Sequence, residues 1–331
     1  MKALRYAFFA LFIAALSASQ LSAQQKSGYH LSQRIALGGE GGWDYLTFDP
    51  QTNRLFVTRA TRVMVVDLNS GAKLGEIPDT SGVHGVALVH KLGRGLTSNG
   101  KEDTATIFDL KTLASIAKVK TGGKPDSILY DSFSALVMTF NGRTNDVTLI
   151  DPEKAAAVGA IALPGRPETG VSDGTGKVFV NLEDKNQLAV IDVAARKVVA
   201  SWPLEGCDEP TGLAFDAANR RLFSGCHNGM LVVTDAGSGR NVQKLSIGAG
   251  VDAAAYDPAL ALIFTSNGEG SISVIHQESA DRYTSYANVP TQNGARTMAL
   301  DPATHTVYTV ANAAADASGK AGSFELLVIR K

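Results

Sequence analysis

The stretch GVDAAAYDPALALIFTSNGEGSISVI, residues 250–275, contains one complete copy of a unit that the rest of the chain repeats. It reads as a strand, a tight turn at Asp257 and Pro258, a second strand closing on Thr265-Ser266-Asn267-Gly268, and a third strand from Ser271 to Ile275. Each segment is short, rich in Val, Ile, Phe and Tyr, and bounded by Gly, Pro, Asn or Asp, which is how strands joined by hairpin turns are written. Nothing in it looks helical.

The turn after the first strand recurs at Asp49, His90, Asp131, Asp173, Asp216, Asp257 and Asp301, roughly 41 to 44 positions apart. A second marker closes the third strand at Asp67, Asp109, Asp151, Asp192, Asp235 and His276, and the last copy ends in Val328-Ile329-Arg330. Two markers in phase at a period in the low forties, with several strands per unit, identify the blades of a β-propeller. The expected fold is all-β: a seven-bladed β-propeller of four-stranded antiparallel blades spanning residues 24–331. The seventh copy runs out at Lys331 after its third strand. Residues 30–37 are the expected fourth strand, so that the N-terminal strand closes the ring and removes exposed sheet edges.

Composition sets the remaining bounds. With 44% hydrophobic and 19% charged residues and 33 glycines among 331, the chain can bury a large core and needs many turns. A formal net charge of -1, with no Lys/Arg cluster, gives no electrostatic reason to expect nucleic acid or an anionic membrane as partner. Residues 1–23 read as a secretory signal peptide: Lys2 and Arg5, an apolar run over residues 6–16, then small residues up to Ala23. The run is short for a membrane span and no Cys follows it for lipid anchoring, so the mature protein is expected in the periplasm or secreted.

Leu55-Phe56-Val57-Thr58, Val178-Phe179-Val180-Asn181 and Val307-Tyr308-Thr309-Val310, followed by third strands such as Leu188-Ala189-Val190-Ile191-Asp192, resemble the repeat of the YVTN-type β-propellers, which include the periplasmic YncE-like proteins. The resemblance spans essentially the whole mature chain. It implies the propeller fold, while for function it implies only a range, since related repeats serve binding proteins, cofactor-bearing enzyme domains and proteins without assigned role.

Ligands of propellers usually meet the face where the loops enter the first strands. Counting back five from each turn marker gives Asp44, Gly85, Asp126, Glu168, Thr211, Asp252 and Arg296, with His84 and Glu209 one and two places off this register. Acids form about a tenth of the chain, so fewer than one is expected among seven positions, against four observed. Carboxylates gathered in this way can bind a hard divalent metal through oxygen, or one of them can act as an acid. The expected metal set is Asp44, Glu168 and Asp252. A solvated polar rim is the bland alternative. Trp43 beside Asp44 suits stacking on a sugar or another ring, or packing on the neighbouring loop. Asn99, Asn141, Asn181, Asn228, Asn267 and Asn312 form a second series, read mainly as turn residues that tolerate left-handed geometry.

Cys207 and Cys226 are the only cysteines. Pairing the first two strands of the fifth blade sets Thr211 opposite Cys226 and Cys207 at the same end, so a disulfide is expected. The alternative is a soft metal site with His227, which lacks a CxxC spacing. The chain has no CxxCH, HExxH, GxSxG or Walker-type motif.

The leading functional expectation is an exported propeller that binds a small ligand or a periplasmic protein at the acid-rich mouth and does no chemistry. The alternatives are a metal-assisted hydrolase or lactonase, with His84 as base, and a carrier of a non-covalent redox cofactor.

Overall fold

The computed structural model describes residues 25–313 and 322–331. The signal peptide expected over residues 1–23 lies outside the described residues. Seven antiparallel sheets follow one another along the chain and pack into a ring. Blade one consists of Leu46–Asp49, Arg54–Arg59, Arg62–Asp67 and Lys73–Ile77, and blades two to five repeat this order. In blade six the third strand, Ser271–Ser279, is long, and its outer partner comes in two pieces, Arg282–Ser285 and Val289–Pro290. Blade seven takes its outer strand from the other end of the chain. His30–Ala36 pairs antiparallel with Phe324–Arg330, from His30 opposite Arg330 to Ala36 opposite Glu325. Apart from two single-turn 3₁₀ segments, His90–Leu92 and Glu183–Lys185, the described residues contain no helix, and none is long and apolar enough to cross a membrane.

The repeating aspartates are turn chemistry. Asp49 accepts from the Gln51 amide at 3.0 Å, Asp257 from Ala259 at 3.0 Å and Asp301 from Ala303 at 2.9 Å. A residue in left-handed backbone follows, as at Asn53 (φ 51°), Ala261 (φ 52°) and His305 (φ 58°). The second series does the same for the next hairpin, with Asp67 accepting from the Ser70 amide and Asp235 from the Ser238 amide, each at 2.8 Å. Each carboxylate satisfies amides that the strand ladder leaves free, which is why a short acid recurs there.

The core is divided among the seams. Each pair of adjacent blades shares one buried cluster: Phe56, Val65 and Ile77 of blade one meet Val86 and Phe108 of blade two, and Val57, Met64 and Val66 meet Val310, Leu326 and Val328 across the closing seam. Leu326 and Val328 pair with the N-terminal strand, whose Ile35 packs on the same cluster, so closure buries apolar surface as well as pairing an edge. In blade five Cys207 and Cys226 form a disulfide with Cα atoms 5.4 Å apart, buried in the cluster shared with blade four. No thiolate remains for a metal site with His227. Pro210, not Thr211, lies opposite Cys226, because the register shifts just beyond it.

Candidate functional site

That register shift builds the site. The inner strands of blades two to six each begin with one paired residue, Val83, Pro125, Pro167, Pro210 or Val251, and then slip before regular pairing resumes. A bulge bends the strand and re-aims the side chain it carries. The first bulged residues are His84, Asp126, Glu168, Thr211 and Asp252. His84 therefore occupies the same structural place as Asp126. Counting back five selects Gly85 because the marker of blade two is displaced: Val89 pairs with Arg94 as Asp131 pairs with Leu136, and His90 falls one residue later, in the 3₁₀ turn.

Hydroxyls from neighbouring blades hold the backbone of these positions. Thr297 Oγ1 donates to the Asp44 carbonyl at 2.9 Å, Ser127 Oγ to Glu168 at 2.5 Å, Thr211 Oγ1 to Val251 at 2.8 Å and Ser266 Oγ to Arg296 at 2.5 Å. Ser98 does the same for Asp126. Side chains from distant parts of the chain are thus placed by bonds that cross the seams.

At the centre, His84 Nδ1 lies 2.5 Å from Asp44 Oδ2 and 3.4 Å from Asp126 Oδ1. The ligand-capable atoms of these three residues all lie within 4.8 Å of one another. Of the expected metal set only Asp44 belongs to this group. Glu168 Oε1 accepts from the Tyr45 hydroxyl at 2.9 Å, and Asp252 Oδ2 from Arg296 Nε at 2.8 Å. Asp44, Asp126, Glu168, Asp252, His227 and Arg296 line a cavity of about 320 Å³. A second cavity, of about 550 Å³, shares Asp44 and Arg296 and adds Trp43, His84, Lys101, Lys124 and Arg143. Trp43 is half-buried there and also packs on Phe324, with ring centroids 5.2 Å apart. Seven of the eight expected ligand-binding residues thus line two joined cavities. Glu209 does not: it is exposed, its backbone is left-handed (φ 48°), and Thr211 holds the bulge position in that blade.

Burial governs the electrostatics. Removal from water pushes the Asp252 carboxyl up to about 6, reinforced by Asp44 and opposed by Arg296. Glu168 is raised well above the usual carboxylate range by burial and then by Asp126, Glu183 and Asp252, while the Tyr45 hydroxyl partly offsets this. Asp126 is raised for the same first reason, against the pull of His84. Burial opposes charge on His84, but the hydrogen bond to Asp44 and the charges of Asp126 and Asp44 outweigh it, so its pKa lies above the ordinary value. An imidazole nitrogen with two carboxylates suits a first-row transition dication better than calcium or magnesium, which prefer all-oxygen shells. Ligands about 2.0–2.2 Å from such an ion stand about 3–3.5 Å apart, against 2.5 and 3.4 Å from His84 Nδ1 to the two carboxylates here.

Sequence reasoning missed the basic rim and the tyrosine. Lys101 and Arg143 occupy equal places, two residues past Asn99 and Asn141, where Glu183 and Glu269 stand in blades four and six. That repeated spacing was a readable signal. Tyr45 is visible only once the Glu168 bulge is aimed at it. The asparagines themselves require correction: Asn99, Asn141, Asn181 and Asn267 are fully buried, and none of the series has positive φ. Asn99 Nδ2 donates to Thr106 Oγ1 at 2.8 Å and its Oδ1 accepts from Thr97 Oγ1 at 2.8 Å, tying second and third strands together.

No protein-family model matches the chain, and no curated protein matches it in sequence. Solved structures share its fold. The chain is similar to one of Kuenenia stuttgartiensis hydrazine synthase, with a TM-score of 0.72 and 16% identity over 88% of this chain and 96% of that one. It is also similar to a chain of the mitotic checkpoint complex, with a TM-score of 0.76 and 15% identity over 99% of both. At such identities the likeness shows the fold alone: the chain is a seven-bladed β-propeller.

Proposed function

We propose that this chain is an exported propeller of the YVTN type whose channel mouth binds a small, oxygen-rich ligand around a divalent cation held by Asp44, His84 and Asp126. The observation that carries the reading is the approach of the three ligand-capable groups to within 4.8 Å of one another, from three consecutive blades. Residues 1–23 support export, and the buried disulfide suits an oxidising compartment. The two mouth cavities, of about 320 and 550 Å³, are of a size that suits a small molecule. Carboxylate or hydroxyl oxygens of the ligand would complete the shell of the cation, while Lys101, Lys124 and Arg143 meet its negative charge.

Calorimetric titration of chelator-stripped protein with Zn²⁺, Mn²⁺ and Ca²⁺ tests the reading. One saturable site is expected for Zn²⁺ or Mn²⁺, weakened about tenfold or more in His84→Ala and unchanged in the remote Glu205→Gln. No saturable binding by the wild type, or equal binding by His84→Ala, would refute it. A metal-assisted hydrolase or lactonase at the same mouth is the second reading. Asp252, with a pKa of about 6, favours it, since such a carboxyl can exchange protons near neutrality. Turnover of a lactone panel by metal-loaded wild type, lost in Asp252→Asn with the metal retained, would decide for it.

A further inference from the structure

Away from the mouth, at the seam between blades seven and one, Arg59 ends the strand Arg54–Arg59 and is 1% exposed. Its guanidinium carbon lies 3.5 Å from the centroid of the Phe324 ring, which fixes the plane of the group. Nη2 donates to the Gly39 carbonyl at 2.7 Å, whereas Nε and Nη1 find no acceptor among the described residues. No carboxylate among the described residues pairs with it. The charge that acts on it is the like charge of Arg62, itself held by Glu76 at 3.0 Å and the Glu40 carbonyl at 3.1 Å. A guanidinium remains charged at neutral pH even here, and a desolvated cation without a counter-ion is a costly arrangement.

The surroundings supply what such a cation lacks. Arg59 lines a cavity of about 370 Å³ together with residues 38–41, Glu40 among them, and with Asn312, Gly322, Ser323 and Phe324. The chain reads Leu37-Gly38-Gly39-Glu40-Gly41-Gly42, and Gly38, Gly39 and Gly41 have φ of 64°, 78° and 103°. Left-handed backbone of this kind suits glycine, and it brings the Gly39 carbonyl onto Arg59 while the Gly38 amide donates to the Phe324 carbonyl at 3.0 Å. We propose that this seam is an oxyanion-binding site, in which the Arg59 guanidinium receives a carboxylate or a phosphate group. The proposal is independent of the cation at the mouth.

Thermal shift and calorimetry with inorganic phosphate and with succinate, each against chloride at equal ionic strength, test it and separate the two sources. A saturable rise in Tm is expected with one of them. Binding should vanish in Arg59→Met, weaken about tenfold or more in Arg59→Lys, and persist in Asp126→Asn. Should Arg59→Met fail to fold, the wild type still decides, because the Arg59 Nε resonance must move on titration with that anion. The proposal is overturned if neither anion acts beyond chloride, or if the effect survives in Arg59→Met.

Discussion

Gly100 leaves space that the His84 ring fills. A Cβ at that position would stand 2.7 Å from His84 Nε2 and 3.2 Å from the Pro125 carbonyl oxygen, so Gly100→Ala should push the imidazole away from Asp44 and Asp126. The expected result is a folded protein whose cation affinity falls about tenfold or more, measured by calorimetry; unchanged affinity would remove His84 from the ligand set. Glu168 carries a prediction with a sign. Its pKa is raised in the folded state, so the stability linked to its proton is present below the unfolded value and lost as pH rises through the folded one. Glu168→Gln keeps an acceptor for Tyr45 and removes that loss. Its Tm should match the wild type near about pH 4 and exceed it at about pH 8. A variant less stable than the wild type at both values would mean that the carboxylate is a structural partner instead.

Strands explain which parts of the molecule were legible in its sequence. The turn aspartates could be read because their chemistry is local: Asp67 and Asp235 cap amides two and three residues away. The closing strand could be read because the seventh repeat lacked a fourth segment. The site was legible only in outline, since a bulge depends on how a strand pairs with its partner, and pairing leaves no mark in the spacing of a single strand. Hence Asp126, Glu168 and Asp252 were found by register, His84 appeared displaced when it was not, and Glu209 was included although Thr211 takes its place. The buried asparagines were misread for a similar reason: Asn-Gly is a turn signature, yet in Asn99-Gly100 the amide faces inward between two strands. Two element-level tests follow. Deleting residues 30–36 should leave Phe324–Arg330 as a bare edge and cause unfolding or aggregation, whereas an unchanged melting curve would contradict closure. Cys207→Ser with Cys226→Ser should lower stability by roughly 3 kcal/mol in denaturant titration, and no change would show that the cross-link does not constrain the unfolded chain.

At the scale of the whole ring, seven seams each bury their own cluster, and the inner strands bring together residues as far apart as Trp43 and Arg296, whose Nη2 donates to the Trp43 carbonyl at 3.2 Å. The mouth gathers acids at its centre, and its rim is divided, with Lys101, Lys124 and Arg143 on blades two and three and Glu183 and Glu269 on blades four and six. Like charges held together by rigid strands cost stability unless something neutralises them: Arg296 is bound to Asp252, and between Asp44 and Asp126 the charge is met by the His84 imidazole, whose pKa is raised there, with Lys124 Nζ 4.0 Å from Asp126 Oδ2. On the proposed reading a divalent cation takes the place of the His84 proton between the two carboxylates. The most direct test is anomalous diffraction from crystals of the full ring soaked in Zn²⁺ or Mn²⁺. The expected result is a single strong peak about 2.0–2.2 Å from side-chain atoms of Asp44, His84 and Asp126. A map without a peak at that position under saturating metal, or with the ion bound only by other residues, would contradict the account.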